Sequence, residues 1–139
     1  MNREQAVHGA VLDDHGSLLE TILDCADEVV ASWDNEGTTE RRHVVEPFKN
    51  ALADRDVTGR LPALLVDAVA ALGEELPAEP VAAPPYLTVT SVGPVLRATL
   101  ADARLVMTIR VFAIERDPTR YVRGAATPAE ALIVALKSR

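Results

Sequence analysis

Four prolines, Pro77, Pro80, Pro84 and Pro85, fall within nine residues of this chain. Proline lacks the backbone N–H that helices and sheet ladders use, so no regular element can run through residues 77–85. The stretch reads as an extended, polyproline-like crossover. Pattern and charge both change across it. Residues 1–79 hold 6 basic and 17 acidic side chains and residues 80–139 hold 8 and 4, so the net charge of −7 resolves into −11 and +4. Apolar residues before the crossover recur at three and four; those after it alternate. That combination is the α+β class.

The first third carries a helical stripe of His8, Val11, His15, Leu18, Ile22, Cys25 and Val29, extended by Trp33. Asn2 with Gln5, and Ser17 with Glu20, have capping-box spacing, so the pattern fits one long helix or two in line that divide at Gly16. Asp34, Asn35 and Gly37 end it. A second helix, capped by Thr38 or Thr39, runs to about Asp54 and buries Val44, Val45, Phe48, Ala51 and Leu52. Pro47 requires this helix either to begin near Glu46 or to kink. A third follows Gly59, with Pro62 in its first turn and Leu61, Leu65, Ala68 and Leu72 on one face, and stops at Pro77.

Beyond the crossover, residues 86–91, 95–100 and 104–115 alternate, separated by turn signals at Val92-Gly93 and Asp102-Ala103. Two-residue turns place Leu87, Val89, Leu96, Ala98, Leu100, Leu105, Met107, Ile109 and Val111 on one face. Asp117-Pro118 leads into a short fourth strand, residues 119–123, with Glu115 opposing Arg120. Thr127-Pro128-Ala129-Glu130 is a helix start, and the predicted last helix carries Leu132, Ile133 and Leu136. The expected architecture is three N-terminal helices packed on one face of a four-stranded antiparallel meander, with a short C-terminal helix.

The opposite face of that meander is the candidate site. The register assigns it Tyr86, Arg97, Arg110, Phe112, Tyr121 and Arg123, together with Thr88, Thr108 and Ile114. Arginine beside aromatic rings on a sheet suits single-stranded nucleic acid, through phosphate pairing and base stacking. The same residue types are enriched at protein interfaces, and the last helix could instead lie over the rings. Whatever covers Phe112 and Tyr121 decides between core and site.

Other chemistry is sparse. His8 and His15 are seven residues apart, about 10 Å along a helix, too far to share an ion. Cys25 sits on an apolar stripe, where a thiol is a small buried hydrophobe. No serine lies in a nucleophile elbow and no glycine run can cradle phosphate. No metal, cofactor or catalytic residue is assigned. A small enzyme would need a concave polar pocket that draws His15 or His43 beside a carboxylate.

At 139 residues the chain is the size of one domain, read as a helical layer at 1–76, the crossover at 77–85, the sheet at 86–123 and the last helix at 128–138. A single cysteine excludes an internal disulfide, and neither a signal-peptide start nor an apolar run of ~18 residues is present, so a cytoplasmic location without membrane contact is expected.

The run Pro84-Pro85-Tyr86-Leu87-Thr88-Val89-Thr90-Ser91, continuing Gly93-Pro94-Val95-Leu96-Arg97-Ala98-Thr99, resembles small uncharacterised proteins of halophilic archaea. The likeness extends to the opening helix and to Leu61-Pro62-Ala63-Leu64-Leu65. It implies a cytosol at high salt, which would account for the acidic surplus and for 2 lysines against 12 arginines; it implies no activity. At ~1 M salt charges are screened within about 3 Å, and counterion release drives phosphate binding only weakly. The expected function is therefore a non-enzymatic interaction module with a protein partner or a second copy of itself. Single-stranded nucleic-acid binding by the same face is the alternative, and a small enzyme the third.

Overall fold

Helix α1 (Arg3–Ala31) is the spine of a computed structural model that describes residues 1–139. Its start is a reciprocal capping box. The Asn2 side chain accepts from the Gln5 N–H (2.7 Å), and the Gln5 side chain accepts from the Asn2 N–H (3.1 Å). It is two helical segments in line, joined across a kink at His15 (φ −128°, ψ 21°), beside the Gly16 at which the pattern allowed a division. Val7, Val11, Leu18, Leu19, Ile22, Cys25, Ala26 and Val29 are buried along one side.

After a two-residue strand β1 (Gly37–Thr38), helix α2 (Arg42–Asp54) buries the five residues its periodicity predicts. Neither threonine caps it, because Thr38 is paired with Tyr121 in a sheet. Pro47 lies inside α2. It leaves the carbonyl of His43 without a helical donor, and the indole Nε1–H of Trp33 donates to that oxygen instead (2.9 Å). A 3-10 turn (Thr58–Arg60) leads into α3 (Leu61–Ala70). The stop is Gly73 rather than Pro77. At φ +74° its N–H donates to Ala70 (2.9 Å) while that of Glu74 reaches Val69 (3.3 Å), the paired bonds of a Schellman ending.

The strands form two antiparallel sheets rather than one meander. β2 (Leu87–Val89), β3 (Pro94–Thr99), β4 (Ala103–Ile109) and β7 (Leu132–Ser138) make a four-stranded sheet in the order β2-β3-β4-β7. β5 (Phe112–Glu115) and β6 (Arg120–Arg123) join β1 in a three-stranded sheet, order β1-β6-β5. Both β2–β3 and β3–β4 are shifted by two residues from the register that two-residue turns at Val92-Gly93 and Asp102-Ala103 would impose: Leu96 opposes Leu87 and Met107, not Val89 and Ile109. A shift of two keeps every side chain on its face. Leu87, Leu96, Ala98, Leu105, Met107 and Ile109 are accordingly buried against the helices. Glu115 opposes Arg120, and the Arg120 Nε–H donates to it (2.7 Å).

The predicted last helix is one turn long. Thr127 caps α4 (Pro128–Ala131), and the chain then extends into β7, which pairs with β4 along its whole length. Leu132, Val134 and Leu136 thereby continue the inner face of the sheet beyond Ile109, Met107 and Leu105. α1 packs against α2, α3, α4, β6 and β7, so one cluster of 30 buried residues draws on both sides of the proline crossover. No buried side-chain polar atom lacks a partner. No helix is long and apolar enough to cross a membrane.

Candidate functional site

The six residues read as one face are divided between two sheets. The cause is the junction between β4 and β5. There the N–H groups of Val111 and Phe112 both donate to the Val92 carbonyl (2.9 and 3.0 Å), and Gly124 N–H donates to Val111 (2.7 Å). The strand expected over residues 104–115 is bent out of the four-stranded sheet at this point. Gly93 makes the junction possible. Its φ is +143°, and a Cβ there would stand 1.9 Å from the Ile109 carbonyl oxygen.

Phe112 is 1 % exposed. Its ring meets Phe48 edge-on (centroids 5.1 Å apart, 84°) and lies 6.1 Å from Trp33, so α2, β5 and the turn that follows α1 share an aromatic contact. The covering groups come from the first helices, not the last. Tyr121 is half-buried on β6 beside Thr38. Arg123 is a brace. Its Nε–H donates to Asp27 of α1 (2.7 Å), and Nη1 donates to the carbonyls of Val111 (2.8 Å) and Ala125 (2.7 Å). Arg110 is exposed, in the link between β4 and β5, with its N–H on the Ala131 carbonyl (2.8 Å).

Tyr86 and Arg97 remain together: the Arg97 N–H donates to the Tyr86 carbonyl (2.9 Å), one step beyond β2. They belong to the outer face of the four-stranded sheet. Across its strands the rows read Thr88, Val95, Thr108, Ile133; then Tyr86, Arg97, Val106, Ala135; then Thr99, Arg104, Lys137. Along these rows Val95 is 6 % exposed and Tyr86, Val106 and Ala135 are half-buried. Arg97, Thr99, Arg104 and Lys137 are exposed, and Ile133 is 45 % exposed. Just before β2 begins, Leu76, Pro77 and Pro85 border a groove of about 290 Å³ shared with Tyr86, Arg97 and Val106.

Arg104 and Lys137 stand directly opposite each other, and Arg97 is diagonal to Arg104. Like charges opposed on neighbouring strands repel. None of the three enters an ion pair, and the rows contain no carboxylate. Arg104 was legible, since it shares parity with Thr108 on an alternating strand. Lys137 was not, because its segment carries a helix-start signal.

The other candidates occupy separate places. His15 Nε2 lies 2.7 Å from Asp67 Oδ2, linking the kink of α1 to α3, and His8 Nε2 lies 3.0 Å from the Ala129 carbonyl oxygen. His43 lines a polar hollow of about 780 Å³ with Trp33, Asp34, Glu36 and Glu40, yet its imidazole contact is the Thr38 hydroxyl (3.4 Å). The histidine beside a carboxylate and the histidine in the hollow are thus different residues. No group of three or more His, Cys, Asp or Glu side chains converges as metal ligands would. Cys25 is fully buried, and burial pushes its thiol up to about 11, opposed in part by Arg55. That environment disfavours the thiolate a nucleophile needs.

No curated protein and no solved structure is similar enough to match the chain. A family model does match, over residues 5–137, with the description Domain of unknown function (DUF7988). The matched span takes in all but the outermost residues of the helical spine and of the last strand, and the chain belongs to that family.

Proposed function

We propose that this protein is a non-enzymatic interaction module whose contact surface is the outer face of the four-stranded sheet, and that the surface receives an acidic stretch of a partner protein. The opposed pair Arg104 and Lys137, with Arg97 beside it and no carboxylate on the face, carries the reading. The arrangement costs the free protein repulsion on the order of 0.2–1 kcal/mol. An anionic partner relieves that cost and gains charge-assisted bonds. Tyr86, Val106 and Ile133 supply the apolar contact that accompanies arginine at interfaces.

Protein is favoured over single-stranded nucleic acid because the stacking platform is depleted. Phe112 is core and Tyr121 belongs to the other sheet, so Tyr86 is the one aromatic ring among these rows.

NMR titration with a polyglutamate peptide and with oligo-thymidylate, at low and at molar salt, tests the reading. The peptide is expected to shift the amides of Arg97, Thr99, Arg104 and Lys137, and Arg97→Glu with Arg104→Glu to abolish the shifts. Tighter binding of the oligonucleotide, or no shift on these strands at low salt, refutes it.

A further inference from the structure

The four-stranded sheet has two unlike edges. β2 is three residues long and preceded by Pro84, Pro85 and Tyr86, a short and guarded edge. β7 is seven residues long, has a strand on one side only, and contains neither proline nor glycine. Its hydrogen-bond phase follows from its two ends. Arg110 N–H donates to the Ala131 carbonyl (2.8 Å) and Arg139 N–H to that of Asp102 (3.1 Å). In an antiparallel ladder these bonds recur at every second residue. Ile133, Ala135 and Lys137 therefore direct their backbone groups to β4, and the N–H and C=O groups of Val134, Leu136 and Ser138 point away from the sheet.

Nothing in the chain meets those outward groups. Val134 and Leu136 sit half-buried at the margin of the core, and Ile133 is 45 % exposed on the opposite face. The strand's one charged residue is Lys137. Folded proteins commonly blunt such an edge with proline, a bulge or charged side chains, lysine above all; β7 has only Lys137, one residue from its end.

We propose that β7 pairs antiparallel with β7 of a second copy, about a two-fold axis through Ala135, joining two four-stranded sheets into a continuous one of eight strands. Residues with free backbone groups must pair with one another, and this register sets Val134 opposite Leu136 on both sides of the axis. Leu132 then opposes Ser138, Ile133 opposes Lys137, and Ala135 opposes its own copy. All seven residues overlap and no like charges meet. The axis falls on a non-hydrogen-bonded pair, where the strands approach most closely, and the residue there is the smallest side chain of β7. Val134 and Leu136 of the two copies cover each other over the core margins, while Ile133 lies along the methylenes of Lys137. The occupant is a second copy because the segment is complementary to itself in this register. The inference is independent of the basic outer face.

Sedimentation equilibrium of the full chain, from micromolar to millimolar, is expected to give a mass twice 14.9 kDa at the upper end. Val134→Pro removes an outward N–H on each side of the axis, and Ala135→Glu sets two carboxylates against each other on it. Each is expected to weaken dimerisation by about tenfold or more, and Ala135→Glu decides if Val134→Pro fails to fold. Arg97→Glu with Arg104→Glu is expected to leave the dimer intact, which separates this pairing from the role of the outer face. By hydrogen exchange, the amides of Val134, Leu136 and Ser138 gain protection as concentration rises, whereas those of Ile133, Ala135 and Lys137 are protected throughout. A chain monomeric over the whole range, a dimer that survives Ala135→Glu, or a dimer in which those outward amides exchange as in the monomer overturns the inference.

Discussion

Trp33 and Pro47 solve one problem between them. The proline denies the His43 carbonyl its helical partner, and the indole supplies a donor at 2.9 Å from a different segment of the chain. The contact fixes the end of α1 against α2 and holds the indole 6.1 Å from Phe112. Trp33→Phe is expected to cost about 1 kcal/mol for the lost bond, beyond any change in packing. In a Pro47→Ala background, where an amide becomes available to the same carbonyl, that part of the cost is expected to fall by half or more. Urea denaturation of the four proteins measures the difference, and equal costs in the two backgrounds would show that the carbonyl is not at issue. Pro47 was conspicuous in the sequence; its compensation was not. A tryptophan fourteen residues upstream gives no local sign that its N–H will be needed there.

At the scale of elements, the decisive feature is the place where β4 becomes β5. Gly93 approaches the Ile109 carbonyl so closely that any side chain collides with backbone. Gly93→Ala is expected to cost at least about 3 kcal/mol, read as a fall in the thermal midpoint, because both the contact and the φ of +143° oppose it. Gly16→Ala, at a position with open space around it, is the contrasting control. The inner sheet face was legible because alternation survives a register shift of two, so Leu96, Ala98, Leu105 and Met107 fall inward under either pairing. The last strand was ambiguous in principle. Leu132, Ile133 and Leu136 fit a helix and Leu132, Val134 and Leu136 fit a strand, and the open edge of β4 decided for the strand. That ambiguity also hid Lys137, and with it the opposed cations of the candidate surface.

For the whole molecule, the proline crossover separates composition without separating stability. The 30-residue core includes Leu18, Phe48 and Leu65 from one side and Leu96, Met107 and Phe112 from the other. Neither side retains a covered apolar face alone. Unfolding followed by Trp33 fluorescence and by far-ultraviolet circular dichroism is therefore expected to give one coincident transition. Two separated midpoints would mean that the helical layer folds on its own. The packing of α1 against β7 also sets an order of events during synthesis. A ribosome adding about 5–20 residues per second makes α1, α2 and α3 first, then takes roughly 3–14 s to travel from the end of α3 at Ala70 to Ser138. Throughout that interval the apolar side of the spine helix lacks its last strand. The part of the core that lies between α1 and β7 can therefore close only after the last seven-residue strand has been made.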